Sequence, residues 1–81
     1  MTVPKLYVMS YMYYHARRFA EDKGVSGPTG LRWINRDQDM RGLRGITMHV
    51  LPSAYHIRDF SYLMDLAEAR NFKIIKVSRD K

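Results

Sequence analysis

Two periods of apolar residues alternate along this chain. Lys5-Leu6-Tyr7-Val8-Met9 is a short apolar run with strand composition. From Tyr11 to Lys23 the period lengthens. Met12, Ala16, Phe19, Ala20 and Lys23 fall at spacings of three and four, which predicts a helix with one apolar stripe. Ser10, just ahead of it, is a residue type that caps helices. Gly24 is placed to end the helix in the left-handed conformation, with Val25 as the hydrophobic contact that follows. Ser26-Gly27-Pro28-Thr29-Gly30 then breaks the pattern.

The second half repeats the alternation. Leu31 to Asn35 is a strand candidate, and Asp37 is placed to cap one helical turn through Met40, with Gly42 and Gly45 ending it. Ile46 to Leu51 is the most apolar strand candidate, and Pro52 to Tyr55 is a loop. From His56 to Arg70, Ile57, Phe60, Leu63, Met64 and Ala67 share one helical face, and Asn71 is a C-cap. Phe72 to Val77 closes as a fourth strand, followed by a polar tail. The order is β-α-β-β-α-β. Two helices each joining a pair of strands favour right-handed parallel crossovers. The expected fold is one α/β domain over residues 1–81, a small Rossmann-like three-layer sheet. A ferredoxin-like sandwich has the same element order and is the alternative. The near-continuous apolar third strand argues for burial on both faces, as in a parallel sheet.

Composition narrows the function classes. With 81 residues the chain makes one small domain, for which self-association would add stability. It has no cysteine, hence no disulfide framework and no thiolate metal site. No run is long enough for a membrane span, and the N-terminus lacks the pattern of a signal peptide, so a cytoplasmic location is expected. The net charge is +6, and nine of the fourteen basic residues are arginine. Such a balance attracts polyanions through phosphate contacts. Six tyrosines, three phenylalanines and one tryptophan supply stacking surface.

Ligands of an open α/β sheet bind beyond the carboxyl ends of its strands. In the expected fold that edge collects Ser10, Tyr11, Tyr13, Tyr14, His15, Asn35, Arg36, Asp37, Ser53, Tyr55, His56, Arg58, Ser78 and Arg79. It is rich in tyrosine, histidine and arginine and poor in carboxylate. Motifs for catalysis are missing: there is no GxxxxGK[ST], no GxGxxG and no HxH or HxxxH spacing. Gly27-Pro28-Thr29-Gly30 precedes a strand, not a helix, so it lacks the geometry of a phosphate cradle. His49 alternates with Met48 and Val50 and reads as a packed histidine. If His15 and His56 both lie on the carboxyl edge, they would suit acid–base work on a phosphodiester. Asp59 and Asp65 read as surface charge. No catalytic residue, metal or cofactor is expected.

Two resemblances add to this reading. An apolar strand, a helix with Ala16 and Ala20 in AxxxA spacing, and Gly42-Leu43-Arg44-Gly45 ahead of an apolar strand resemble part of a helicase or terminase motor core. That family ends its strand in an acidic pair that holds magnesium, whereas here Pro52-Ser53 follows the strand. The whole chain is similar to small uncharacterised bacteriophage proteins with this element order, a tryptophan strand and the GLRG turn. That resemblance implies an accessory protein acting in the host cytoplasm.

Two readings of function follow. In the first, a non-enzymatic module binds DNA or RNA through Arg17, Arg18, Arg36, Arg41 and Arg44, with Tyr13, Tyr14 and Tyr55 stacking on unpaired bases. In the second, the module inhibits or redirects a host protein through an exposed apolar patch. Arginines on one face favour the first, and scattered arginines favour the second. A small nuclease or nucleotide-handling enzyme trails both for want of carboxylates. The glycines of the GLRG turn have a structural reason of their own, since they let the chain reverse tightly before a buried strand.

Overall fold

A computed structural model describes residues 6–25 and 30–77. The start of the first strand candidate at Lys5, the breaker at 26–29 and the tail at 78–81 lie outside the described residues. The elements are β1 (Leu6–Met9), α1 (Tyr13–Asp22), β2 (Leu31–Ile34), a 3-10 turn (Asp37–Met40), β3 (Thr47–Val50), a second 3-10 turn (Pro52–His56), α2 (Phe60–Ala69) and β4 (Lys73–Lys76). The four strands form one sheet in the order β2-β1-β3-β4. Every neighbouring pair is parallel. This is the small Rossmann-like arrangement, and it excludes the ferredoxin-like alternative, whose neighbouring strands run antiparallel.

The pleat divides the core in two. Val8, Leu31 and Leu51 pack with Ala16 and Ala20 on the α1 side. Met9, Ile34, Met48 and Val50 pack with Leu63, Ala67 and Phe72 on the α2 side. The buried stripe of α1 is thus two alanines, Ala16 and Ala20, while α2 buries Leu63 and Ala67 and the turn after it adds Phe72. The link from β2 to β3 must cross β1. It does so on the α2 side, where Met40 is fully buried and Leu43 packs beside it.

Both helices end in the same motif. Gly24 (φ 80°) follows α1, with Val25 N–H donating to Ala20 O at 2.9 Å and Gly24 N–H to Glu21 O at 3.0 Å. Asn71 (φ 61°) follows α2, with Phe72 N–H on Ala67 O and Asn71 N–H on Glu68 O, both at 3.0 Å. These are the paired bonds of a Schellman end, and the hydrophobic residue after each turn tucks inward.

Four local expectations are corrected. Ser10 caps nothing: α1 starts at Tyr13 with Met12 in the N-cap position. The Ser10 hydroxyl is instead fully buried and donates to Met12 O at 2.7 Å. Met12 and Lys23 leave the apolar stripe and are exposed, because α1 is shorter at both ends than its pattern. Asp37 is the first residue of its turn rather than the cap. Asp39 does that work, accepting from the backbone N–H groups of Asn35 (3.0 Å) and Arg36 (3.1 Å). Finally, α2 starts at Phe60, not His56. Pro52 opens a 3-10 turn that carries Ala54 into the core before the chain turns into the helix.

Gly42 (φ 77°) and Gly45 (φ 64°) both sit in the left-handed region with open space around them. Gly45 N–H donates to Arg70 O at 3.0 Å, which ties the turn to the end of α2. Gly45→Ala should therefore lower stability by about 1–2 kcal/mol through backbone strain alone. A denaturation midpoint unchanged from wild type would refute that.

Candidate functional site at the carboxyl edge

The chain order reverses between β1 and β3, where open α/β sheets hold their ligands. Here the chain itself fills that crevice. Leu51 N–H donates to Met9 O at 3.0 Å, and Tyr11 N–H donates to the Ser53 hydroxyl at 3.3 Å. Trp33 Nε1–H reaches across from β2 to Ser10 O (3.2 Å) and Ser10 Oγ (3.1 Å). The β1–α1 loop is thus held from both neighbouring strands, and its outer residues are turned to solvent.

Those outer residues are aromatic apart from Met12. Tyr11, Met12, Tyr13, Tyr14, Tyr55 and Tyr62 are each 43–57% exposed. Tyr11, Met12, Tyr13 and Tyr14 leave β1, Tyr55 leaves β3, and Tyr62 stands in the first turn of α2, whose N-terminus returns to this edge. Neighbouring rings brace several of them. Tyr13 meets Trp33 edge-on at 5.6 Å, Tyr11 meets His56 at 6.0 Å, and Tyr55 tilts against Phe60 at 4.6 Å. Held rings lose less rotamer freedom on binding than free ones.

Beside this belt lies a cleft of about 180 Å³ between the end of β2 and the start of α2, lined by Asn35, Arg36, Asp37, Asp59, Tyr62 and Leu63. Its lining mixes one guanidinium with two carboxylates around a phenol ring. Asp59 and Tyr62 were not singled out from the sequence as binding residues. They belong here because α2 starts at Phe60, and reading Pro52 as the opening of a separate turn would have placed them at the helix N-terminus.

The arginines divide. Arg18 joins the edge, donating to the Tyr14 hydroxyl at 3.0 Å with its guanidinium over the Tyr14 ring. Arg36 lines the cleft. Arg17 lies on α1 and pairs with Glu21 at 3.4 Å, as the i,i+4 spacing predicts. Arg41 and Arg44 are exposed on the link that runs from the carboxyl edge to the start of β3. Arg44 stands at the amino edge, where Arg70 Nη1–H donates to Leu43 O at 3.3 Å. Tyr13, Tyr14, Tyr55, Arg18 and Arg36 thus gather at the carboxyl edge, while Arg44 stands at the opposite one. His15 is half-buried in α1, and His56 is exposed beside Tyr11. Ser78 and Arg79 lie outside the described residues.

His49 points to the α1 side, 5.2 Å from the Phe19 ring. Burial pushes its imidazole below the ordinary value of 6.5, assisted by the Lys23 charge and opposed by a backbone hydrogen bond with Tyr7. The fold therefore holds the neutral ring. That contribution is complete above the ordinary value and is lost as pH falls below it toward the lowered one. Melting followed from about pH 7 to pH 5 should show a steeper loss for wild type than for His49→Gln. Equal slopes would exclude the histidine as a source of acid sensitivity.

No family model, curated protein or solved structure matches this chain. Among the described residues no group of three or more histidine, aspartate or glutamate side chains is placed to hold a metal ion, and no helix is long and apolar enough to cross a membrane.

Proposed function

We propose that this chain is a non-enzymatic interaction module that holds a protein partner through its tyrosine-lined carboxyl edge. The observation that carries the reading is the gathering of Tyr11, Met12, Tyr13, Tyr14, Tyr55 and Tyr62 on one rim. Tyrosine, methionine and arginine are the residue types enriched in interface centres, whereas lysine is depleted there. The rim also mixes Arg36 with Asp37 and Asp59, which suits a protein surface better than a polyanion. The division of the arginines supports the same choice, since no single face collects them. On the phage resemblance, the partner is a host protein met in the host cytoplasm.

A second reading is binding of single-stranded DNA or RNA. The net charge of +6 and the position of Arg36 beside the exposed Tyr62 ring favour it. Fluorescence anisotropy with labelled single-stranded DNA and RNA at several salt concentrations separates the two. Protein binding predicts a weak response with little dependence on the tyrosines. A photoreactive group at Tyr55 should then cross-link one partner in stoichiometric amount from host lysate. Tight binding that falls steeply with salt and disappears with the tyrosines would replace the first reading with the second.

A further inference from the structure

Sheets of parallel strands are covered on both faces, because their crossover connections lay helices there. On the α2 side this sheet is covered by α2 and the buried link through Met40. On the other side α1 lies over β1 and β2. Beyond them α1 meets Leu51, past the end of β3, and sets Phe19 against His49 of β3. The register pairs Thr47 with Lys73 and His49 with Ile75, so these four side chains share the α1 side of β3 and β4. Thr47 and Lys73 are exposed, Ile75 is 39% exposed, and no layer stands over them among the described residues.

We propose that this half of the sheet is a docking surface for an acidic amphipathic helix of a partner protein, laid where a second helix beside α1 would lie. Two observations select that occupant. Phe19, the His49 ring against it and Ile75, paired with His49 across the strands, form an apolar centre. Lys23, over the Phe19 ring at 5.4 Å, and Lys73 flank that centre, while Asp22 is the acid next to Lys23 in sequence. The balance of charge at the rim is positive and calls for carboxylates opposite. A second copy is a poor occupant. Laid face to face, a second copy would bring the same exposed lysines, Lys23 and Lys73, against this positive rim, and like charges so placed disfavour the contact. This surface is distinct from the tyrosine edge, and the proposal stands or falls without that reading.

The test uses the full ¹⁵N-labelled chain and a synthetic helical peptide of about 14 residues, with leucines along one face and glutamates on both flanks. A control peptide carries lysine in place of every glutamate. The acidic peptide should shift the amides of Phe19, Thr47, His49, Lys73 and Ile75, and Ile75→Glu should abolish the effect. Lys23→Glu with Lys73→Glu should weaken the acidic peptide by roughly tenfold and let the lysine peptide bind instead. Both sets of substitutions lie at exposed positions, so folding is checked by melting and should be retained. The proposal is overturned by any of four results: no shifts, shifts confined to the tyrosine edge, equal response to both peptides, or the same residues shifting with protein concentration alone. Shifts of these residues by a single-stranded oligonucleotide in place of the peptide would overturn it as well.

Discussion

Leu63→Ala should destabilise the fold by about 3 kcal/mol, the middle of the range for emptying a leucine site in a packed core. Leu63 is 1% exposed and packs among Met9, Ile34, Met40, Met48 and Phe72, which come from five different segments of the chain. None of those segments can close the hole without moving the sheet. Stability of 0.05–0.15 kcal/mol per residue gives a chain of this length roughly 4–12 kcal/mol in total. The substitution would remove a quarter or more of that, with a fall in melting temperature of roughly 15 °C. Tyr62→Ala, one position earlier, should stay within about 0.5 kcal/mol of wild type, because its side chain is 54% exposed. The pair separates the floor of the cleft from its rim. Calorimetry that found the two variants equally stable would mean that α2 is not seated as described.

The same contrast explains what could be read from the chain. Periodicity is a record of burial, so elements that bury one stripe were legible: α1 through Ala16 and Ala20, β3 through Met48 and Val50, α2 through Leu63 and Ala67. The left-handed ends were legible too, because Gly24 and Asn71 are residue types that tolerate that conformation. Parallel pairing followed from the two helical crossovers. What failed were positions where a polar side chain had two uses. Ser10 has the chemistry of a cap, yet its hydroxyl is buried beneath the loop and accepts from Trp33, which is 23 positions away in sequence. Asp37 and Asp39 are chemically alike, and only the turn geometry decides which one meets the free N–H groups of Asn35 and Arg36.

The candidate site shows a different limit. Tyrosines at strand ends could be collected once the strands were placed, because the chain order puts them on one edge. The arginines could not be assigned this way. Arg36 and Arg44 are eight positions apart, and the link between them runs the length of the sheet. The sequence distance says nothing of that, because it does not reveal whether those residues coil at one edge or cross the layer. Met40 and Leu43, packed under α2, decide it.

Tyr11→Ala combined with Tyr13→Ala, Tyr55→Ala and Tyr62→Ala should abolish partner binding while leaving the fold in place. Truncating a tyrosine at the centre of an interface commonly costs 2 kcal/mol or more. Two such positions among the four would weaken binding by about a thousandfold, taking 1.4 kcal/mol as tenfold. Each ring is nearly half exposed or more, so little core packing is lost. The ring contacts with Trp33, His56 and Phe60 are worth about 0.5–1.5 kcal/mol apiece at most. The loop beneath retains its buried anchors, because Trp33 still donates to Ser10 and the Tyr11 backbone N–H still reaches Ser53. Arg41→Ala with Arg44→Ala is the matched control, since both side chains are exposed and Arg44 stands at the opposite edge. The decisive comparison is titration of the cross-linked partner against wild type and both variants. Loss with the tyrosines and retention without the arginines places the interface on the carboxyl edge. The reverse pattern would move it to the GLRG turn and restore a basic surface as the functional one.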